Sequence, residues 1–311
     1  MRARVSPLPA LRSVLFVPGT RPDLVPKAAA AGADALVLDL EDSVPAEGKD
    51  LARTHIAAVL AESATRFTFV RCNHPSLGAL EKDLSVLAPH DAQAVMLPKV
   101  DSPKELEAID AQLSLFEKDA ALGQYAISIL VVIETSVGLR ALYDILRSTP
   151  RVRGAGLATA EEGDFMLDIG GHWTPSGEAL TYARGKFVCD ARAAQAAWIL
   201  DGAFMNLRDE DALATEARIA RTHGFSGKVA VHPRQVATIN GIFTPTAAEI
   251  ERASKLLEAF RKAEAQGRGA LEFRGMMVDY ANIRWAERIL QQARTAAREV
   301  MPTPDPGRND R

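Results

Sequence analysis

Short runs of aliphatic and β-branched residues alternate along this chain with longer stretches in which apolar positions recur every three or four residues. The first pattern is that of strands and the second that of amphipathic helices. Eight runs read as strands: residues 13–17, 35–40, 67–72, 94–97, 127–133, 154–158, 199–205 and 229–231. The run 127–133 is apolar almost without interruption, as expected of a strand covered on both faces. Regular alternation of this kind predicts an α/β fold of parallel βα repeats, and eight of them favour a closed (β/α)8 TIM barrel over an open sheet. Two more helical patterns, 247–265 and 282–300, follow the last strand, joined by a glycine-rich link that contains the segment GMMVDYA. The predicted organisation is a barrel over residues 1–240, a C-terminal helical extension over 241–301, and a Pro-rich polar tail, 302–311, expected to be disordered.

Composition adds mostly exclusions. With 311 residues, 47% of them hydrophobic and 25% charged, the chain can bury a large core. A formal net charge of −3 offers no basic surface to nucleic acid or an anionic membrane, so neither is expected as a partner. Any anionic ligand must be held by local groups. Cys72 and Cys189 make neither a disulfide framework nor a metal cluster, and a reducing cytoplasm is the expected setting. No segment approaches the roughly 20 apolar residues of a membrane-spanning helix. The apolar run 14–17 stops at Pro18, too short for a signal segment.

The chemistry sits at the ends of the strands. The first runs into Pro18, Gly19 and Arg21, the second into Asp39, Glu41 and Asp42, the third into Arg71 and Asn73, and the fourth into Lys99. The fifth ends on Glu134, the sixth is followed by Asp164, the seventh by Asn206 and Asp209, and the eighth by His232. In a barrel these positions share one rim, the face on which such folds place their active sites. Glu134 and Asp164 lie thirty positions apart (164 − 134), about one strand-helix-strand unit, so neighbouring parallel strands bring both carboxylates to one end of the sheet. With no Cys or His between them, the pair points to a hard divalent cation, Mg²⁺. Taken alone, the two acids would read as easily as a helix cap and a surface acid.

Asp39, Glu41 and Asp42 crowd further acids onto the same rim, where they would orient waters bound to the cation, unless LEDS only caps a helix at Asp42 or Ser43. A guanidinium at a strand end matches a carboxylate, so Arg71 is the expected clamp for an acidic substrate, with a salt bridge to Glu134 as the plain alternative. In the PGTR turn Gly19 would free backbone N–H groups and Arg21 would meet a phosphate, or the segment is simply a turn. His232 reads equally as a core, loop or catalytic histidine, and Trp173 and Trp198 read as packing.

The segments RSVLFVPGTRPDLVPKA, ADALVLDLEDSVPAEGK, FVRCN, VMLPKVDSPKEL, VIETSVGL, GDFMLDIGG, GFSGKVAVHPRQVATINGIFTPTAAEI and GMMVDYANIRWAERIL, in this order from about residue 12 to residue 290, resemble the citrate lyase β-subunit/malyl-CoA lyase-like family of the HpcH/HpaI aldolase superfamily. That resemblance implies a Mg²⁺-dependent TIM barrel, in a homotrimer or hexamer, that cleaves or forms a C–C bond between an acyl thioester, on CoA or an acyl carrier, and a 2-oxo acid. By motif, Glu134 of VIET and Asp164 of GDF correspond to metal ligands and Arg71 of VRCN to the substrate-binding arginine. Asp279 of MMVDY corresponds to an acid supplied from a neighbouring subunit's C-terminal segment. Arg21 and Lys27, with the Pro18-Gly19 turn, lie in the motif associated with the thioester carrier, and Lys99 lies in the LPK motif. Asp39 and Glu41 are counted with the catalytic groups.

Two departures stand out. The residues before Asp164 read Ala160-Glu161-Glu162-Gly163 where the family commonly has a Gly-x-Glu-Asp type turn, and the family's proline after Val-Asp is replaced by Tyr280. The implied cleavage removes the hydroxyl proton of a 3-hydroxyacyl thioester, stabilises the departing enolate with Arg71 and protonates it from Asp279. Three other readings compete: a pyruvate-type metal aldolase on free 2-oxo acids, a subunit that works only with an acyl-carrier protein, and a thioesterase.

Overall fold

Eight parallel strands close on themselves: β1 Ser13–Pro18, β2 Ala35–Asp39, β3 Phe67–Arg71, β4 Ala94–Leu97, β5 Ser128–Ile133, β6 Val152–Leu157, β7 Trp198–Asp201 and β8 Gly227–Ala230. β1 pairs in parallel with both β2 and β8, which joins the two sides of the sheet and leaves it without an edge. Helices run between the strands, so the expected (β/α)8 barrel is present, within the first of two compact units, Met1–Phe243. The computed structural model describes residues 8–62, 67–87 and 94–300; the tail 302–311, expected to be disordered, lies outside them. Among the described residues no helix is long and apolar enough to cross a membrane.

Side chains alternate between two cores, as the two-residue period of a strand requires. Val14, Val37, Phe69, Met96, Leu130 and Leu200 belong to the cluster on the barrel axis. The intervening Leu15, Leu38, Val70, Val95, Val131 and Ile199 pack under the helices. Trp198 plugs the axis, fully buried, as its reading as a packing residue implied. Its ring meets Phe67 and Phe69 edge-on at 5.4 and 5.2 Å, and its Nε1–H donates to Pro9 O at 3.0 Å. Aromatic pairs of this geometry each add about 0.5–1.5 kcal/mol beyond area burial. The backbone of the neighbouring strand also demands a glycine: a Cβ at Gly154 of β6 would lie 2.3 Å from Trp198 O.

Most strand boundaries shift from expectation by a residue or two, and two of the differences have a local reason. β7 stops at Asp201 although the apolar run continues through Phe204 and Met205. The N–H of Gly202 goes to Thr159 Oγ1 at 3.1 Å and its carbonyl accepts from Lys228 Nζ at 2.7 Å, so side chains take the groups a ladder would need. β6 starts at Val152, earlier than 154, because a register shift between Ile129 and Leu130 inserts Arg153 as a bulge against β5.

The second unit is Thr244–Arg311. Its helix Ala247–Glu264 opens with a capping box: Glu249 N donates to Thr246 Oγ1 at 3.2 Å, and Thr246 N donates to Glu249 Oε2 at 2.7 Å. The helix Tyr280–Val300 packs on it through Ala253, Leu256, Ala286 and Ile289. The glycine-rich link between them is a two-stranded antiparallel hairpin, β9 Leu271–Phe273 and β10 Met276–Val278. Its two-residue turn, Arg274-Gly275, has both residues left-handed, at φ 52° and 78°, as the twist of a tight hairpin demands.

Candidate active site

The register of β2 and β3 sets Asp39 beside Arg71 at the carboxyl ends of both strands. Arg71 Nε donates to Asp39 Oδ1 at 2.6 Å and Nη2 to Oδ2 at 2.7 Å, a bidentate pair. The same carboxylate accepts from Glu41 N at 2.9 Å, from Ser43 N at 3.2 Å and from the Ser43 hydroxyl. Burial pushes the Asp39 carboxyl up, but Arg71 and these further donors outweigh it and hold the group below the usual carboxylate range. Its lone pairs are used inside the protein. Asp39 therefore fixes Arg71 and the turn rather than orienting waters, and Ser43 closes that turn onto Asp39 instead of capping a helix. Arg71 also lies 4.9 Å over the Phe16 ring. The salt bridge to Glu134 does not form; the acids of Arg71 are Asp39 and Glu41.

Glu41 is more weakly held. Its Oε2 sits 2.9 Å from Arg71 Nη1 as an ion pair, yet no N–H points along that line, and the buried oxygen has no hydrogen-bond donor among the described residues. Burial, ahead of the opposing pull of Arg71, raises its pKa. Its Oε1 accepts from Lys99 Nζ at 3.3 Å. That ammonium also reaches Asp164 Oδ2 at 3.1 Å and Asp42 Oδ2 at 3.7 Å. Lys99 holds a left-handed backbone, φ 55°.

Glu134 directly follows β5, ahead of Thr135, whose Oγ1 caps the helix Ser136–Arg147 by accepting from Gly138 N at 2.9 Å. The cap is thus made by its neighbour and the Glu134 carboxylate is left over. It is 7% exposed and makes no hydrogen bond or ion pair among the described residues. Burial first, then the charges of Glu41 and Asp164, push its pKa up to about 7 against the pull of Lys99 and Arg71. Asp164 opens the helix Asp164–Ile169. In the turn before it the left-handed residue is Glu162, φ 58°, whereas Gly163 is extended. A Cβ at Gly163 would lie 3.0 Å from Ala160 O, so its glycine serves close packing.

These groups line a cleft of about 760 Å³ whose walls include Glu41, Asp42, Lys99, Glu134 and Asp164. Asn73, assigned no role from sequence, lines it too. Its N and Nδ2 both donate to the buried Asp83 Oδ2, at 2.7 and 2.8 Å, and Asp83 is anchored by Arg53 Nε at 2.8 Å. A carboxylate can only accept, so the amide nitrogen must face Asp83 and Oδ1 remains without a protein donor among the described residues. The only sequence signal for it was its place after the third strand.

The remaining candidates lie elsewhere or do different work. Gly19 N donates to Asp39 O at 2.9 Å and Arg21 N to Pro18 O at 2.8 Å, so these N–H groups are not free for phosphate. A Cβ at Gly19 would lie 2.6 Å from Asp39 O, so glycine is required there for the close approach of two strand ends. The Arg21 side chain is exposed and paired with Asp23 at 2.7 Å, and Lys27 is exposed on the helix Val25–Ala30. Asp209 caps the helix Glu210–His223 through Ala212 N at 2.9 Å. His232 is a loop residue whose Nδ1 accepts from Arg234 N at 3.1 Å; burial, then Arg234 and Lys27, lower its pKa. In the second unit, Asp279 is exposed before the helix Tyr280–Val300, where its Oδ1 accepts from Ala281 N at 2.8 Å.

The donor set suits a hard divalent cation, which takes oxygen ligands, often only one or two carboxylates, and keeps waters. An unpaired Glu134 carboxylate, an orphaned Glu41 oxygen and Asp164 border one cleft. Among the described residues there is no group of three or more acids, histidines or cysteines arranged to hold a metal. The fit is therefore to two protein carboxylates with open positions.

Comparison with known proteins agrees with this geometry. The chain matches the family model HpcH/HpaI aldolase/citrate lyase over residues 12–233, and a model for a C-C bond lyase of the TIM-barrel fold over residues 182–297. It is 37% identical to the citrate lyase subunit beta-like protein of Deinococcus radiodurans, covering 93% of this chain and 97% of the relative. It is 34% identical to mitochondrial citramalyl-CoA lyase of Mus musculus, over 91% and 86% of the two chains. Among solved structures, CitE of Mycobacterium tuberculosis in complex with magnesium, acetoacetate and coenzyme A superposes with a TM-score of 0.73 at 28% identity, covering 91% of this chain and 98% of that one. Barrel, rim and sequence agree that this chain belongs to the HpcH/HpaI aldolase/citrate lyase family.

Proposed function

We propose that the protein is a Mg²⁺-dependent carbon–carbon lyase that splits a 3-hydroxyacyl-CoA-type thioester into an acyl thioester and a 2-oxo acid, or joins the two. The observation that carries this reading is the buried Glu134 carboxylate, unpaired among the described residues, in the same acid-lined cleft as Asp164. Glu134 and Asp164 would hold the cation, which when bound supplies Lewis-acid polarisation of the oxygen that becomes the 2-oxo acid's carbonyl. Glu41, with a raised pKa and an oxygen lacking a donor, is suited to accept the substrate's hydroxyl proton. As the C–C bond breaks, its electron pair passes to the thioester enolate. Arg71, fixed from behind by Asp39, offers remaining guanidinium N–H groups to that oxygen without reorganisation.

The enolate carbon then takes a proton from Asp279 of another subunit in a homotrimer or hexamer. Support for that arrangement is the exposure of Asp279 beside the exposed Met276, Met277 and Tyr280, a surface suited to burial against a second chain. Exposed Arg21, in the turn after β1, and exposed Lys27, on the helix Val25–Ala30, are assigned to the carrier's phosphates.

The test is turnover of malyl-CoA- and citramalyl-CoA-type thioesters by the isolated protein with Mg²⁺ and with chelator, for wild type, Glu134→Ala and Asp279→Ala. Both variants are expected to lose activity by roughly a thousandfold or more. Mixing the two should restore part of it, because a shared site needs one intact residue from each chain. Full Mg²⁺-dependent turnover by Glu134→Ala would sink the metal assignment. Failure of the isolated protein on every CoA thioester, with activity regained on adding an acyl-carrier protein, would favour a subunit role instead.

A further inference from the structure

We propose that Lys99 is a built-in stand-in for the metal ion: its ammonium holds Asp164 and Glu41 in the metal-free protein, leaves Asp164 when Mg²⁺ arrives, and then receives the carboxylate of an incoming 2-oxo acid. The inference rests on the reading that Mg²⁺ binds at Glu134 and Asp164. Two independent observations carry it. The first is the contact set, with Lys99 Nζ 3.1 Å from Asp164, 3.3 Å from Glu41 and 3.7 Å from Asp42. The second is the backbone, which is left-handed at Lys99 with φ 55°. That conformation is unfavourable for a side chain other than glycine and persists only where the surroundings enforce it. Here it accompanies a single ammonium placed among three carboxylates.

Charge bookkeeping shows what the ammonium does. Asp39, Glu41, Asp42, Glu134 and Asp164 are five acids with two cations in ion-pair contact, Arg71 and Lys99, while the third cation of the cleft, Lys49, donates to the Leu40 and Glu41 carbonyls at 2.6 and 2.8 Å. Arg71 is committed to Asp39 and Glu41. Lys99 is left to neutralise the outer acids, and without it Asp164 and Asp42 would face Glu41 and Glu134 uncompensated. The two expected metal ligands therefore differ before any metal is present: Glu134 is free, whereas Asp164 is already engaged by a cation. A divalent ion on the same Asp164 carboxylate repels the ammonium, so metal entry is an exchange of one cation for another. The displaced Lys99, tethered by its short turn after β4 and still beside Glu41, stays near the new positive charge with the donor that held Asp164 released. A small carboxylate arriving at the metal would then satisfy both. Binding of the cation and of the oxo acid become coupled through one side chain.

Calorimetric titration of Mg²⁺ into metal-free full-length protein separates the possibilities. Lys99→Met should bind Mg²⁺ roughly three- to tenfold more tightly than wild type, because the competitor for Asp164 is gone. The Mg²⁺-loaded variant should bind pyruvate, the probe for the oxo acid, roughly tenfold more weakly. In wild type, acylation of Lys99 by an amine-directed reagent, read by mass spectrometry, should rise when Mg²⁺ is added. Equal or weaker Mg²⁺ binding by Lys99→Met, or acylation of wild-type Lys99 that ignores Mg²⁺, overturns the exchange while leaving the metal reading intact. Absence of Mg²⁺ binding to wild type overturns both.

Discussion

Two charged clusters sit at the carboxyl half of this barrel, and they are built on opposite principles. Between β7, β8 and the helices Thr181–Ala193 and Glu210–His223, Asp201 and Glu216 meet Arg184 and Lys228, two acids against two cations, none more than 2% exposed. Lys228 Nζ lies 2.7 Å from Asp201 and 3.2 Å from Glu216, and Arg184 reaches the same two acids at 3.1 and 3.0 Å. Burial alone would raise the Asp201 pKa, and the two cations bring it below the ordinary value instead. On the inner rim, by contrast, Asp39, Glu41, Asp42, Glu134 and Asp164 share only two ion-pairing cations, Arg71 and Lys99, and Glu134 has no partner among the described residues. The outer network is buried and balanced in charge, and it holds helices to strands, although Arg184 Nη1 and Glu216 Oε2 have no hydrogen-bond partner among the described residues. An acid excess at a cleft stays costly until a ligand neutralises it, which marks that cluster as the binding site.

The contrast is broken most forcefully by Lys228→Met. The loss leaves Asp201 and Glu216 sharing one buried cation, and removing one partner of a buried ionic network costs about 3–5 kcal/mol. Urea unfolding should show that loss, while the folded fraction binds Mg²⁺ within about twofold of wild type, since distant sites act independently. If instead stability holds and Mg²⁺ affinity collapses, the outer cluster serves the site and the division drawn above is wrong.

Glu134→Gln sharpens the same division from the other side. With its pKa raised to about 7 from an ordinary 4.5, the Glu134 carboxyl of the metal-free protein contributes its stability fully below the ordinary value. That contribution is lost as pH rises through about 7. A glutamine does not titrate. In chelator the variant should match wild type near pH 4 and exceed it by about 3 kcal/mol near pH 8. Saturating Mg²⁺ should raise the unfolding midpoint of wild type only, by mass action on the native state. A variant no more stable than wild type at pH 8 in chelator would show that Glu134 has a partner and is not held ready for a cation.

The barrel and the rim were legible from sequence because both follow from periodicity. Strand runs ended on Asp39, Arg71, Lys99 and Glu134, and a closed parallel sheet has only one rim on which such ends can meet. What escaped depends on contacts that no spacing encodes. Nothing in Asn73 and Asp83, ten positions apart, announces that one orients the other. Asp39 and Arg71 are 32 residues apart and meet through register, so Asp39 reads from sequence as one more metal-side acid. The apolar Phe204 and Met205 prolong the pattern of β7 past the point where Thr159 and Lys228 take over the backbone of Gly202. Arg184 and Glu216 lie on helices where a charge ordinarily marks a solvated face, and only the strand residues Asp201 and Lys228 beneath them explain their burial.

Backbone strain gives the smallest effect. Around the outer cluster the left-handed position beside Arg184 is Gly177, φ 71°, where a Cβ would sit 2.7 Å from Arg184 Nη1. On the rim, Lys99 and Glu162 adopt left-handed backbones despite their side chains, at φ 55° and 58°. Glu162 is exposed and has no described contact that rewards the conformation. Glycine adopts this region without steric cost but loses more freedom on folding, so Glu162→Gly should gain only about 0.5 kcal/mol. Thermal unfolding would register this as a small rise in midpoint, with Mg²⁺ affinity unchanged if Glu162 only spans the turn. A clear fall in affinity would instead mean that the strained turn holds Asp164 at its working angle, making Glu162 part of the rim's binding machinery.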